Sequence, residues 1–190
     1  MERNYIEDKD FEKEDFTNGG LVLGEYENCN FLHCNFSNID LSKFNFTDCN
    51  FKSCNLSLIK LGKTSFRDVS FEDCKMLGLH FEDCSDFLFS PRFEKSILNL
   101  CSFYKVAIKK STFKNCSLHE ADFTEADLSS TIFDNCDFAK AIFDNTILEK
   151  TDLKTSYNYS IDPEKNKLKG TKLSLPGVLG LLDKYDIKID

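Results

Sequence analysis

The sequence predicts an all-β solenoid: a square coil of twenty residues per turn, about eight coils long, with a short α-helix at its C-terminal end. Three observations predict it. An apolar residue recurs every fifth position, a second register of small or apolar residues sits two positions earlier, and like residues recur at spacing twenty. The apolar series reads Phe11, Phe16, Leu21, Tyr26, Phe31, Phe36, Leu41, Phe46, Phe51, Leu56, Leu61, Phe66, Phe71, Met76 and Phe81. After a slip of two residues it resumes as Leu88, Phe93, Leu98, Phe103, Ile108, Phe113, Leu118, Phe123, Leu128, Phe133, Phe138, Phe143, Leu148 and Leu153. All 29 positions are apolar in a chain that is 41% hydrophobic, and they hold 16 of the 19 phenylalanines. Chance placement would fill about 12 of them.

A period of five fits neither a helix nor a flat strand. A helix would smear the series round its axis, and a strand would send alternate core residues into water. The chain must therefore turn in the same sense every five residues, each unit pointing one large and one small residue inward. Four units close a square, and squares stack through backbone hydrogen bonds about 4.8 Å apart. Columns at spacing twenty then place like on like: Phe11, Phe31, Phe51 and Phe71 in one, Phe103, Phe123 and Phe143 in another, and Phe93, Phe113, Phe133 and Leu153 in a third. Such stacking is what an in-register solenoid prefers.

The second register holds all nine cysteines: Cys29, Cys34, Cys49, Cys54, Cys74, Cys84, Cys101, Cys116 and Cys136. It reads them as small buried hydrophobes with free thiols, in keeping with a reducing compartment. Stacked parallel thiols do not readily meet the torsion a disulfide needs. The phase slip falls in Cys84-Ser85-Asp86-Phe87-Leu88-Phe89-Ser90-Pro91-Arg92, where two extra residues must bulge. Leu88 is expected to point inward between Phe87 and Phe89, at least one of which is exposed. The corner is either a local kink covered by its own aromatics or a recognition feature.

The repeats divide the chain into a solenoid over residues 1–173 and a C-terminal element over 174–190. The slots degrade at Asn158 and Pro163 and recover at Leu168 and Leu173, marking an irregular last coil. Ser174 then caps a helix with Pro176 in its first turn. Leu175, Val178, Leu179, Leu182 and Tyr185 share one helical face, Leu181 widens it, and Ile187-Lys188-Ile189-Asp190 reads as a short strand.

The units Cys29-Asn30-Phe31, Cys34-Asn35-Phe36, Cys49-Asn50-Phe51, Ala121-Asp122-Phe123, Ala126-Asp127-Leu128 and Cys136-Asp137-Phe138 resemble the A(D/N)LXX unit of pentapeptide repeat proteins. The resemblance covers about residues 9–173 and implies a right-handed quadrilateral β-helix. The ending is similar to one subfamily, the Qnr-type quinolone-resistance proteins and the related microcin-immunity protein. It carries Asp162-Pro163, Leu168-Lys169-Gly170 and the Leu181-Leu182-Asp183-Lys184-Tyr185-Asp186 run. That resemblance implies a bacterial protein whose Leu175, Val178, Leu179, Leu181, Leu182 and Tyr185 cap the last coil and join two subunits tail to tail. Capping without dimerisation is the alternative. Ile132, Ile142 and Ile147, outward-facing on nearby coils, favour a contact there.

No catalytic constellation emerges. His33, His80 and His119 are scattered on outward positions, and Gly19-Gly20 lacks the lysine of a phosphate loop. No cofactor, metal or enzyme activity is expected. The net charge of −8 argues against direct nucleic-acid binding and against an anionic membrane surface. No apolar run approaches the ~18 residues of a membrane span, and the N-terminus lacks a signal-peptide core, so a cytoplasmic protein is expected.

Function must then lie in the surface. Residues 1–86 carry 17 acidic and 9 basic residues, and residues 87–190 carry 15 of each. The candidate partner-binding residues are Asp48, Asp68, Glu72, Asp73, Glu82 and Asp83 with Phe87 and Phe89 at the slip. The subfamily resemblance implies binding to DNA gyrase or topoisomerase IV as an acidic DNA mimic, with protection from quinolones or toxins. The alternative is an interaction scaffold for another protein.

Overall fold

The computed structural model describes residues 4–188. Among them are eleven short strands: β1 (Asn4–Glu7), β2 (Asp10–Glu12), β3 (Gly24–Glu27), β4 (Asn30–Leu32), β5 (Asn45–Thr47), β6 (Asn50–Lys52), β7 (Ser65–Arg67), β8 (Ser70–Glu72), β9 (Arg92–Glu94), β10 (Thr112–Lys114) and β11 (Ile132–Asp134). All pair in parallel, in two sheets ordered β1-β3-β5-β7 and β2-β4-β6-β8-β9-β10-β11. Partners lie twenty residues apart, as in Phe31↔Phe51 and Phe46↔Phe66. Single parallel bridges continue the ladder on the other walls, from Asp15↔Asn35 to Asp152↔Lys172. The molecule is therefore the parallel β-solenoid that the period of five predicts.

The large slots form the core. From Phe16 to Phe81, all but Leu21 are buried, and from Phe93 to Leu153 all are. The phenylalanines stack rung on rung: Phe11–Phe31 at 4.8 Å, Phe31–Phe51 at 4.6 Å, Phe51–Phe71 at 5.1 Å, Phe71–Phe93 at 5.4 Å, Phe93–Phe113 at 4.7 Å and Phe113–Phe133 at 4.7 Å. Two columns that the sequence places on either side of the slip are thus one. Phe81 likewise heads the Phe103–Phe123–Phe143 column, 4.7 Å from Phe103.

The second register does more than fill space. Its hydroxyls and thiols donate to large-slot carbonyls of the coil before. Thr64 Oγ1 donates to Leu41 C=O at 2.7 Å, Thr146 to Phe123 at 2.8 Å, Thr151 to Leu128 at 2.8 Å and Ser156 to Phe133 at 2.9 Å. Cys34, Cys49, Cys54, Cys74 and Cys136 do the same through Sγ at 3.2–3.5 Å. The use of Cys, Thr and Ser here thus supplies compact donors whose own buried polar atoms are paired with a carbonyl, often one that already accepts a backbone N–H, as Leu41 C=O does from Phe44.

The corners require the left-handed backbone. The residue two after most large slots has positive φ, from Lys13 at 57° to Lys150 at 59°. Asn, Asp and Gly tolerate that region best. Part of the Asn and Asp content of the outward positions follows from these corners.

At the slip the structure departs from the expected register. Leu88 is 55% exposed with φ of 56°, while Phe89 turns inward onto Phe81, ring centroids 6.1 Å apart. Leu88 takes the corner conformation one rung below Asp68, so its side chain cannot reach the core. The next residue folds in instead, and Pro91 is buried in the small slot. The ladder offset grows from 21 residues (Asn50 N–H to Cys29 C=O) to 23 (Arg92 N–H to Val69 C=O), the two-residue insertion. The first sheet consequently stops at β7, whereas the second runs through from β8 to β9.

The last coil and tail also differ from expectation. Tyr159 and Ile161, not Asn158 and Pro163, are the buried residues there. The C-terminal helix is two 3-10 turns, Pro176–Leu181 and Asp183–Tyr185, rather than an α-helix. Ser174 still caps it, accepting the Gly177 N–H at 3.0 Å. Gly177 and Gly180 weaken α-helix and press directly on Tyr159, where a Cβ would lie 1.9 Å from its hydroxyl and 2.1 Å from its carbonyl oxygen. Ile187 and Lys188 form no strand, and Ile189 and Asp190 lie outside the described residues.

Candidate partner-binding surfaces

The six acidic residues singled out in the sequence occupy three walls. Asp48 and Asp68 stand on one corner column on adjacent rungs, φ 52° each, both exposed. Asp73 sits on the next corner, accepting from Ser53 Oγ at 2.8 Å. Glu72 lies in β8 between Lys52 at 3.2 Å and Lys95 at 3.9 Å. Glu82 contacts His80 Nδ1 at 2.9 Å, and Asp83 closes a 3-10 turn on the far side of the β1-β3-β5-β7 face. Asp48 and Asp68 are brought together. Glu72 is ion-paired with lysines, Glu82 is held by His80, and Arg92 stands 3.8 Å from Asp68.

The structure adds acids that the sequence reading passed over. Glu7, Glu25 and Glu27 lie on the β1-β3 rungs, and Asp8 begins the corner column of Asp48 and Asp68. Tyr5 donates its hydroxyl to Glu27 Oε2 at 2.8 Å, and Asn28 Nδ2 donates to Asp8 at 2.6 Å. The Glu27 hydrogen bond, with the charges of Glu27 and Glu7, pushes the Tyr5 hydroxyl up to about 12. The spacing of twenty between Asp8, Asn28, Asp48 and Asp68 was the signal available for this column. At about 4.8 Å per rung, it places carboxylates on three of four successive rungs, with the neutral Asn28 between Asp8 and Asp48.

Arg67 interrupts this face. Its guanidinium lies 5.4 Å from the centroid of the Phe87 ring, which is 65% exposed, and its Nε is buried without a hydrogen-bond partner. Below the slip, Phe81, Cys84, Phe89, Tyr104 and Val106 line an open groove of about 480 Å³.

At the C-terminus, Leu175 is 88% exposed, and Val178, Leu179 and Tyr185 are also exposed. Leu182 is half-buried, and Leu181 packs against the core. Lys184 fixes the turns to the last coil, donating to Asp162 at 2.7 Å and lying 2.8 Å from Glu164. That cation holds both carboxyls below their ordinary range, chiefly by direct hydrogen bonding.

His119 pairs with Asp137 at 2.8 Å, on a different wall from His80. Among the described residues, no three His, Cys, Asp or Glu side chains are grouped to hold a metal ion, and no helix is long and apolar enough to cross a membrane.

Rung-on-rung parallel pairing, five-residue corners and an outward surface of short polar side chains define a repeat solenoid with extended faces. The profile for a pentapeptide repeat region matches residues 25–87, and that for pentapeptide repeats in eight copies matches residues 121–156. The chain belongs to the pentapeptide repeat family. No curated protein matches it by sequence. Among solved structures, a trypsin-treated form of QnrB1, a plasmid-mediated fluoroquinolone resistance protein, is 22% identical, covering 97% of this chain and 99% of that one with a TM-score of 0.50. HetL, a pentapeptide repeat protein involved in heterocyst differentiation regulation in the cyanobacterium Nostoc sp. strain PCC 7120, is 16% identical, covering 91% and 89% with a TM-score of 0.36.

Proposed function

We propose that this protein is a non-enzymatic binding rod that occupies the DNA-binding groove of a type II topoisomerase, DNA gyrase or topoisomerase IV, and protects it from quinolones or related toxins. The observation that carries this reading is the acidic N-terminal face. Glu7, Asp8, Glu25, Glu27, Asp48 and Asp68 lie on one wall and its corner, spaced by strand rungs. QnrB1, whose repeat fold this chain shares, is a plasmid-mediated fluoroquinolone resistance protein. The rod is a homodimer joined through Leu175, Val178, Leu179, Leu182 and Tyr185, with Leu181 anchoring the element from beneath. The exposure of Leu175, Val178, Leu179 and Tyr185 supports this. In such a dimer the acidic faces lie at the two far ends.

A gyrase supercoiling assay with a quinolone tests the reading. Wild type should restore or inhibit supercoiling in a concentration-dependent way, and a variant with Glu7, Asp8, Glu25, Glu27, Asp48 and Asp68 changed to their amides should not. Absence of any effect at tens of micromolar would move the reading to a scaffold for another partner. The exposed Phe87 and the balanced charge of residues 87–190 favour that second reading.

A further inference from the structure

One interior column of the rod is unlike the other three. One wall is built by the bridges from Asp15↔Asn35 to Asp137↔Tyr157, and the small slot lies one residue earlier on each rung. Read down the wall, that slot holds Cys34, Cys54, Cys74, Ser96, Cys116, Cys136 and Ser156. Five of the nine cysteines thus stand in one file with two serines, all seven side chains buried and the five thiols free. The other three small-slot columns each include Ile, Leu, Val, Phe or Ala.

The thiols also repeat in orientation. Cys34 Sγ faces the carbonyls of Phe11 and Leu32, both at 3.4 Å. Cys54 Sγ faces those of Phe31 and Lys52 at 3.2 and 3.4 Å, and Cys74 Sγ those of Phe51 and Glu72 at 3.3 and 3.4 Å. Equivalent contacts on each rung place the three sulfurs in line at the rung separation, about 4.8 Å. A disulfide bond of about 2.05 Å cannot bridge that gap without drawing the rungs together. A linear sulfur–metal–sulfur unit can, being about 4.6 Å across for bonds of about 2.3 Å. Among the described residues, no three His, Cys, Asp or Glu side chains converge on one point, so the tetrahedral set of a zinc site is missing. Two thiolates in line suit a soft monovalent ion, copper(I) above all.

We propose that Cys34, Cys54 and Cys74 form an internal site for soft, two-coordinate monovalent cations of the copper(I) class, one ion between each neighbouring pair, with the Cys54 sulfur shared. Each S–H bond gives way to sulfur–metal bonding, the proton leaves to solvent, and no oxidation state changes. Three thiolates and two monovalent ions carry one net negative charge. The Cys34 N–H, 3.4 Å from Cys54 Sγ, faces that charge. Glu14 holds the column position above Cys34 and is exposed, and Phe11 is only partly buried, so the file is entered from the N-terminal end. Cys29–Cys49 and Cys116–Cys136 repeat the spacing as isolated pairs, each with room for one ion. The site lies inside the rod, so it stands or fails independently of topoisomerase binding.

The test is an anaerobic titration of the full chain with silver(I), then with copper(I) supplied from a competing chelator, counted by native mass spectrometry and followed by far-UV circular dichroism. Wild type should take up both ions with the solenoid signal intact and melt at a higher temperature when loaded. Cys54→Ser should bind two ions fewer than wild type, Cys34→Ser and Cys74→Ser one fewer each. Cys101→Ser should bind as many as wild type, because Leu79 and Ala121 flank Cys101 in its column. Serine fits the slot, since Ser96 and Ser156 donate to Phe71 and Phe133 C=O at 3.3 and 2.9 Å in the same file. Should Cys54→Ser fold poorly, Cys54→Ala serves, as alanine fills the small slot at Ala121 and Ala126. Copper K-edge absorption of the loaded wild type should show sulfur neighbours alone. Three results would overturn the proposal: no uptake, equal counts in the Cys54 and Cys101 variants, or uptake only as the circular dichroism signal is lost, which would mean that the unfolded chain captures the ions.

Discussion

Replacing Phe113 by alanine should cost far more than the same change at Phe11, although both occupy the same slot in the same column. Phe113 is fully buried between Phe93 and Phe133, both stacked at 4.7 Å, with Phe103 edge-on at 6.1 Å. Phe11 is partly exposed, and only Phe31 stacks on it among the described residues, at 4.8 Å. Phe→Ala in a core costs about 3–5 kcal/mol, and a site sealed by stacked rings on both sides cannot collapse to refill the space, which places Phe113→Ala near 5 kcal/mol. Phe11→Ala, with one face already in solvent, should cost about 2 kcal/mol. For a chain of this length, that is a fall in melting temperature of about 10–20 °C against about 4–8 °C. Urea unfolding followed by far-UV circular dichroism reads both. Equal losses at the two positions, or less than about 2 kcal/mol at Phe113, would refute the account of the core as a continuous stack.

Other outcomes follow from the same geometry. Thr64→Val removes the hydroxyl that, beside the Phe44 N–H, donates to Leu41 C=O, at nearly constant volume, and should cost about 1 kcal/mol, measured by urea midpoint; no loss would deny the small slot its hydrogen-bonding role. Burial pushes the Cys49 and Cys101 thiols up to about 12. They stay neutral in the fold, so the stability they confer is complete below about pH 9 and is lost as pH rises toward 12. Thermal melts between pH 7 and 11 should fall on the alkaline side, and a native thiol titration should find these two unreactive. Gly180→Ala forces a Cβ against the Tyr159 carbonyl and should release the C-terminal turns, seen as faster proteolysis beyond residue 174 with the solenoid intact. Acid should do the same more gently, because Asp162 and Glu164 are held below their ordinary values by Lys184; their contribution is present at neutral pH and fades as pH falls through those lowered values.

The solenoid was legible because one periodicity, repeated over most of the chain, leaves a single way to bury Phe31, Phe51 and Phe71 together. Hydrophobicity failed where three apolar residues compete, at Phe87-Leu88-Phe89. Which of them faces inward is decided by the corner backbone, not by composition, and the left-handed corner fell on Leu88. The C-terminal helix misled for a related reason: Leu175, Val178, Leu179 and Leu182 have helical spacing, but Gly177 and Gly180 let the turns tighten against Tyr159. Asp48 and Asp68 were placed correctly on one column. Their companions Asp8, Glu25 and Glu27 became visible only once the rungs were aligned, and the partners of Glu72 and Glu82 are lysine and histidine side chains from other rungs or positions. The donor role of Thr64 and Cys34 was hidden because a size argument already explained them.

The most direct test of the proposed function is displacement of a fluorescent DNA duplex from purified gyrase by this protein, followed by anisotropy over a range of salt. Binding through the acidic face predicts competitive displacement that weakens steeply with ionic strength and is lost when Glu7, Asp8, Glu25, Glu27, Asp48 and Asp68 become amides. Displacement unaffected by those substitutions, or none at any salt concentration, would contradict it.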